Sequence, residues 1–369
     1  MLRLFCFLGL LLAGKLWGQN QTVLVGTYTQ SGSHGIYSLR FNTQTGQLSL
    51  LDSVKADNPS YLTVHSRGKY IYAVEETMGV NKGSVAVFSL QAATGKMKYI
   101  ESTPSVGDHP CFIDINPQDK ALAVANYTGG TMAWLPIGAG SRPQKPTVTI
   151  SFTGSGPNKQ RQEKPHAHQS IFSHNGERLW VTDLGTDRVT LYKVTPKGKA
   201  PFQLEAELQV TPGAGPRHLA VNAAGKRLYI LGELNGAVMV YDISTMNAPK
   251  LVQTIKADTI SKQPGSADIH LSPDGQFLYA SNRAQANNLT IYKVDATTGL
   301  LTTVGYQSLA GKGPRNFMID PSGKWLMAGL QYDNLIEVFS RNPQTGLLQQ
   351  VQLFKGIITP VCLKFVESE

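Results

Sequence analysis

Hydrophobic and polar positions alternate along most of the chain with a period of two residues, not 3.6. YIYAVE at 70–75, GSVAVFSL at 83–90 and NLTIYKVD at 288–295 are short runs rich in β-branched and aromatic residues. Gly, Asn, Asp and Thr-Gly dipeptides separate them. That pattern predicts strands joined by tight turns and argues against helices.

The pattern recurs six times. It starts at Asn58 (NPSYLTVHSRGKYIYAVEE), His109 (HPCFIDINPQDKALAVANY), His166 (HAHQSIFSHNGERLWVTDL), Gly215 (GPRHLAVNAAGKRLYILGEL), Gly265 (GSADIHLSPDGQFLYASNR) and Gly313 (GPRNFMIDPSGKWLMAGLQ). The turn residues Gly68, Asp119, Gly176, Gly225, Gly275 and Gly323 are spaced by 51, 57, 49, 50 and 48 residues. Each unit reads as four strands, and Thr45-Gly46, Thr94-Gly95, Thr298-Gly299 and Thr345-Gly346 mark turns into the fourth. A period near fifty with four strands per unit is that of a propeller blade.

The two ends complete the count. TVLVGTYT and GIYSLRFNTQTGQLSLLDSV supply a second, third and fourth strand with no first, and TPVCLKFVE supplies a first strand with no successors. Pairing them adds a seventh blade and removes exposed sheet edges. The expectation is an all-β, seven-bladed β-propeller of four-stranded blades. The N- and C-terminal strands close the ring in one composite blade, and residues 19–369 form a single domain.

Composition narrows the setting. MLRLFCFLGLLLAGKLWGQ has the layout of a secretory signal peptide, too short to span a bilayer. Removal of residues 1–18 is expected, with the product exported to the periplasm or secreted; without a functional signal it stays cytoplasmic. No later run is long and apolar enough for a membrane anchor. Charged residues are only 16% and Gly is 36 of 369, in keeping with strands and turns. Cys111 and Cys362 are expected to be buried free thiols. The net charge of +9 falls to +7 without Arg3 and Lys15, a weak bias toward anionic partners. No basic run of five appears, so nucleic-acid binding is not expected.

Aligning the units on their turn residues brings candidate chemistry into view. Eight positions before the turn stand Ser60, Cys111, His168, Arg217, Ala267 and Arg315; eight after it stand Glu76, Tyr127, Leu184, Glu233, Arg283 and Gln331. In a simple hairpin these sets lie side by side, roughly 25 Å from the turn. Since first strands line a propeller's channel, His168, Arg217, Glu233 and Arg283 are expected around one mouth. One imidazole, one carboxylate and two guanidiniums suit acid–base work on an anion, and they equally suit a solvated polar rim. Tyr127, His166, Asp268 and His218 are candidate substrate contacts, while His270 lies deeper and is expected to be structural. His166 and His168 point to opposite faces of a strand and have no acidic cluster beside them, so no metal is expected. The insertion GSGPNKQRQEKP at 154–165 either covers the mouth or forms an ordinary surface loop. There is no G-x-S-x-G, P-loop or dinucleotide fingerprint, and no cofactor is expected.

VGTYT with GIY, NPSYL, ANYTGG, GPNKQRQEKPHAHQ, VTDLGTDRV, GPRHLA, ADIHLSPDGQFLYASNR and PVC together resemble the lactonase family of seven-bladed propellers. That family includes propeller-type 6-phosphogluconolactonases and the fungal 3-carboxy-cis,cis-muconate lactonizing enzyme. The resemblance runs from about Val23 to Phe365. It implies a site of one histidine, two arginines and one glutamate, which fall on His168, Arg217, Glu233 and Arg283. The implied activity is hydrolysis of a small anionic sugar lactone. His168 would take the proton of water, Glu233 would orient that imidazole or share the proton, and Arg217 and Arg283 would hold negative charge. A non-catalytic ligand-binding propeller and a muconate-type cycloisomerase are the alternatives.

Overall fold

Second strands of the repeats are apolar on both faces, as in Ala121–Asn126 (ALAVAN) and Phe277–Asn282 (FLYASN), and both are buried throughout. Fourth strands carry polar residues on at least one face, as in Lys250–Lys256 (KLVQTIK), and stay largely exposed. A strand buried on both faces belongs inside a stack of sheets, and a half-polar one belongs at the rim. The computed structural model describes residues 19–79, 83–195 and 201–366 and obeys this order. Its strands form seven four-stranded antiparallel sheets, each with the polar fourth strand outermost. The proposed export signal at 1–18 lies outside the described residues.

The innermost strands are Leu62–Val64, Pro110–Ile115, Ala167–Phe172, Pro216–Val221, Ser266–Leu271, Pro314–Ile319 and Pro360–Val366. Each packs against the next around the hub, and Pro360–Val366 packs against Leu62–Val64. The composite blade forms as the sequence implies. Asn20–Thr27 pairs on one side with Gly35–Asn42 and on the other with Pro360–Val366, in the register Thr22↔Val366 to Gly26↔Cys362.

The core lies between blades. One apolar cluster joins Val23, Phe41 and Leu363 of the composite blade to Trp325 and Met327 of the blade before it. Another joins Phe277 and Tyr279 to Leu326 and Phe339. The Thr-Gly turns serve the same contacts. Gly346 has φ +74°, and a Cβ there would stand 2.3 Å from the Phe277 ring. Its carbonyl accepts a hydrogen bond from the Tyr279 hydroxyl of the neighbouring blade at 2.7 Å. The turn recurs because it is a docking point as well as a reversal of the chain.

The inner hairpins differ from the simple pairing in register. Pro110 faces Asn126 while Phe112 faces Ala125, so Cys111 is an extra, unpaired residue. The same β-bulge falls at His168, Arg217 and Arg315, and a longer irregularity spans Ala267 and Asp268. Residues eight positions after the turn therefore bond to residues ten before it, not eight. The Tyr127 amide donates to the His109 carbonyl at 2.9 Å, and the Glu233 amide to that of Gly215 at 2.8 Å. The shared level along the blade survives, and the bulged residue is freed to aim into the hub.

Candidate active site

A cavity of about 460 Å³ opens at the hub, at the blade ends away from the aligned turn residues, none of which lines it. Its size suits a small-molecule site. Tyr28, Glu76, Cys111, Tyr127, Arg161, His168, Glu233, Arg283 and Arg315 supply its chemistry. Below it a narrow space is lined by Ser60, Cys111, His168, Arg217, His218 and Arg315. The bulged residues of four blades thus meet at one level, and Tyr127, Glu233 and Arg283 reach them from the ends of second strands.

Glu233 organises one wall. Arg217 Nε lies 2.9 Å from its Oε2, Arg283 Nη2 lies 3.1 Å from the same oxygen, and Arg161 Nη2 lies 2.6 Å from Oε1. Burial works to raise its pKa, but Arg283, Arg217 and Arg161 outweigh burial and hold it at about 2. No hydrogen bond joins Glu233 to His168 among the described residues. The geometry does not support the expected role of Glu233 in orienting the imidazole: its carboxylate stays ionised and faces three guanidiniums instead. Arg217 is committed as well, since Nη1 donates to the Ala267 carbonyl and its side chain is 2% exposed. Burial, then Arg283 and Arg315, draw its pKa down to about 10, still a cation at neutral pH.

His168 is buried in the protein with its ring on the cavity lining. Its Nδ1 lies 3.9 Å from Cys111 Sγ, and its ring meets Tyr127 and His218 edge-on. Nε2 has no protein hydrogen-bond partner among the described residues. Burial first, then Arg217, His218 and Arg315, push its pKa well below the usual histidine range, so the ring is neutral. His166 does not line the cavity. Its ring stacks on Tyr127 at 4.4 Å; Nδ1 contacts the Tyr127 carbonyl at 3.1 Å and Nε2 contacts Glu163 at 3.2 Å. Both nitrogens are thus engaged by protein, which leaves it a support for Tyr127 rather than the substrate contact expected of it.

His218 and Asp268, also expected to touch substrate, lie below the cavity in a belt that ties the blades together. His218 Nδ1 sits 2.7 Å from Asp268 Oδ1, and Asn316 Nδ2 donates to Asp268 Oδ2 at 2.5 Å. Asn316 Oδ1 accepts from the Leu363 amide at 2.7 Å, and Gln169 Oε1 accepts from the Leu219 amide at 2.8 Å. Each bond crosses from one inner strand to the next, so these side chains close the hub instead of facing the mouth. Burial, then Arg217, depress His218 to about 4 despite Asp268 beside it. His270 Nε2 contacts Asp268 Oδ2 at 2.9 Å, deeper along the channel as expected.

Sequence reasoning left Tyr28, Glu76, Arg315 and Arg161 of the cavity lining out of the site. Glu76 accepts from the Tyr28 hydroxyl at 3.1 and 3.0 Å and from Ser60. Arg315 stands over the Tyr28 ring at 5.2 Å. Both occupy the aligned columns that singled out His168 and Glu233, so the repeat itself carried the signal. Arg161 sits in the 154–165 insertion, where no period applies. The insertion is pinned by Gln162, whose buried amide donates to the Leu184 carbonyl at 2.9 Å and to Asp187 at 2.8 Å. Of that loop, Arg161 reaches the cavity lining.

Cys111 and Cys362 are free and buried. Among the described residues no three His, Cys, Asp or Glu side chains converge as a metal site would require. What the cavity offers is a neutral imidazole beside three guanidiniums and two carboxyl groups, with the Arg217 guanidinium beneath.

Comparison with known proteins agrees with this architecture. The sequence profile described as lactonase, 7-bladed beta-propeller matches residues 22–365. A 6-phosphogluconolactonase of Formosa agariphila is 35% identical over 334 residues, covering 89% of this chain and 95% of that protein. A crystal structure from Bacteroides fragilis, assigned provisionally as a 6-phosphogluconolactonase, is 40% identical with a TM-score of 0.89, covering 95% of this chain and 98% of its own. The periplasmic gluconolactonase of Pseudomonas aeruginosa is 30% identical with a TM-score of 0.88, covering 95% of this chain and 100% of its own. The chain therefore belongs to the lactonase family of seven-bladed β-propellers.

Proposed function

We propose that the protein hydrolyses a sugar lactone in the hub cavity, with His168 as general base. The observation that carries this reading is a neutral imidazole whose Nε2 is free of protein partners among the described residues, on the wall of a cavity rich in guanidiniums. Ester hydrolysis needs a base for water and positive charge for the carbonyl oxygen, and both are at hand. Glu233 contributes by fixing Arg217, Arg283 and Arg161 in place rather than by moving a proton. Arg283 and Arg161 then present their outer faces to the substrate's oxygens, and Tyr127 closes the side wall.

Three arginines on the cavity wall, with Arg217 beneath, against two carboxyl groups favour an anionic substrate, a sugar lactone with a phosphate or carboxylate being the expected class. Names of relatives support the lactone part of this reading: the Formosa agariphila protein is a 6-phosphogluconolactonase and the Pseudomonas aeruginosa protein a gluconolactonase. The latter is periplasmic, which supports export of this chain through residues 1–18. Fractionation of cells expressing the full chain tests the location; recovery in the cytoplasm at full length refutes export. Base titration of acid release from a panel of phosphorylated and neutral lactones, corrected for spontaneous opening, tests the reaction. Binding without turnover across that panel refutes it.

A further inference from the structure

The guanidiniums of the cavity and of the narrow space beneath it are not equivalent. Arg217, Arg283 and Arg161 all hold Glu233. Arg283 also donates from Nε to the Gly265 carbonyl at 2.8 Å. Arg315 has no carboxylate within ion-pair distance and no hydrogen bond to protein among the described residues. Its one described contact is with the face of Tyr28, 5.2 Å from the guanidinium carbon. It is half-buried, so it lacks the full water shell that a surface arginine has. A guanidinium with a reduced water shell and no protein acceptor is a ready donor for a ligand's oxygens.

Its position relative to His168 says which acceptor. Both are bulge residues of inner strands, and they line the upper cavity and the narrow space beneath it together. Among the described residues, both His168 Nε2 and the Arg315 guanidinium are without a protein hydrogen bond on this wall. Tyr28 is itself fixed, its hydroxyl donating to Glu76 and its ring supporting Arg315 from behind.

We propose that Arg315 is a catalytic residue whose guanidinium binds the lactone carbonyl oxygen and stabilises the oxyanion formed when water, deprotonated by His168, attacks. This rests on the lactone-hydrolase reading and deepens it. Water gives one proton to His168 Nε2 and forms a bond to the carbonyl carbon. The C=O π pair moves onto oxygen and is held by the Arg315 N–H groups. On collapse the ring C–O bond breaks, the leaving ring oxygen takes the proton back from His168, and the product is the open hydroxy acid. Atoms and charge balance with lactone and water alone.

The experiment compares wild type, Arg315→Ala and Arg315→Met on a neutral aldonolactone and on its phosphorylated counterpart, with kcat and KM separated and thermal unfolding as the check on folding. The expected result is a fall in kcat of about a hundredfold or more on both substrates, with KM little changed. Added guanidinium ion is expected to restore part of kcat in Arg315→Ala. Wild-type kcat in either folded variant overturns the proposal. So does a loss confined to KM for the phosphorylated substrate, which makes Arg315 a phosphate clamp. Failure of both variants to fold also overturns it and makes the residue structural. No turnover by wild type on either lactone sinks the lactonase reading itself, whereas turnover with an indifferent Arg315 sinks only this assignment.

Discussion

Glu233 touches three guanidiniums from a buried position, and its proton has no place there above about pH 2. Glu233→Gln leaves Arg217 and Arg283 without a counter-charge in the protein interior. Such a loss typically destabilises by about 3–5 kcal/mol, and a lowered midpoint in denaturant unfolding would register it. His218 gives a second prediction. Its folded pKa of about 4 lies below the unfolded value of 6.5, so the unfolded chain binds the extra proton between those limits. Its contribution to stability is therefore intact above pH 6.5 and is lost as pH falls toward 4. Asp114 works in the opposite sense, because burial pushes it up to about 6 and its proton favours the fold below that pH. The unfolding midpoint of wild type minus that of His218→Gln, followed from pH 7 to pH 4, isolates the histidine and should shrink on acidification. A difference that is flat with pH contradicts the assignment. His168 is also held neutral by burial and by Arg217, so the active form persists below the usual histidine range. Accordingly kcat/KM should stay level from pH 8 through 6.5 and fall only in more acid solution.

The β-bulge and the Thr-Gly turn are the two elements that turn strands into a site and a ring. The bulge puts one unpaired residue at the same height in successive inner strands, and chemistry follows from what occupies it: a thiol at Cys111, an imidazole at His168, guanidiniums at Arg217 and Arg315. The repeat made that column legible in the sequence. Which residues in it are committed to protein partners was not legible, because commitment depends on contacts between blades fifty or more residues apart. His218 and Asp268 show the cost: next to the column in sequence, they bond to each other across blades and lie under the floor. The turn makes a stability prediction. Gly346→Ala forces a positive φ on an alanine and drives its Cβ into the Phe277 ring. A loss of roughly 2–4 kcal/mol is expected from strain and overpacking together, read from the shift in thermal unfolding. Gly225→Ala, where a Cβ meets nothing, serves as the control for φ alone.

At the scale of the molecule, closure is the property on which the cavity depends. Its walls come from the composite blade through Tyr28, from the second and third blades through Glu76, Cys111 and Tyr127, and from four later blades through His168, Glu233, Arg283 and Arg315. Blade count and composite closure could be read from the chain because a lone first strand at one end complements three strands at the other. Deleting residues 360–366 removes the inner strand of that blade and exposes the edge of Asn20–Thr27. Loss of cooperative unfolding and of any lactonase activity is expected, and a truncated chain that keeps both contradicts the closed ring. The most direct test of the whole account is lactone hydrolysis by wild type and His168→Ala, measured as acid release above the spontaneous rate. Turnover by wild type with a loss of at least about a hundredfold in the folded variant is the predicted result. Equal rates in the two proteins would contradict it.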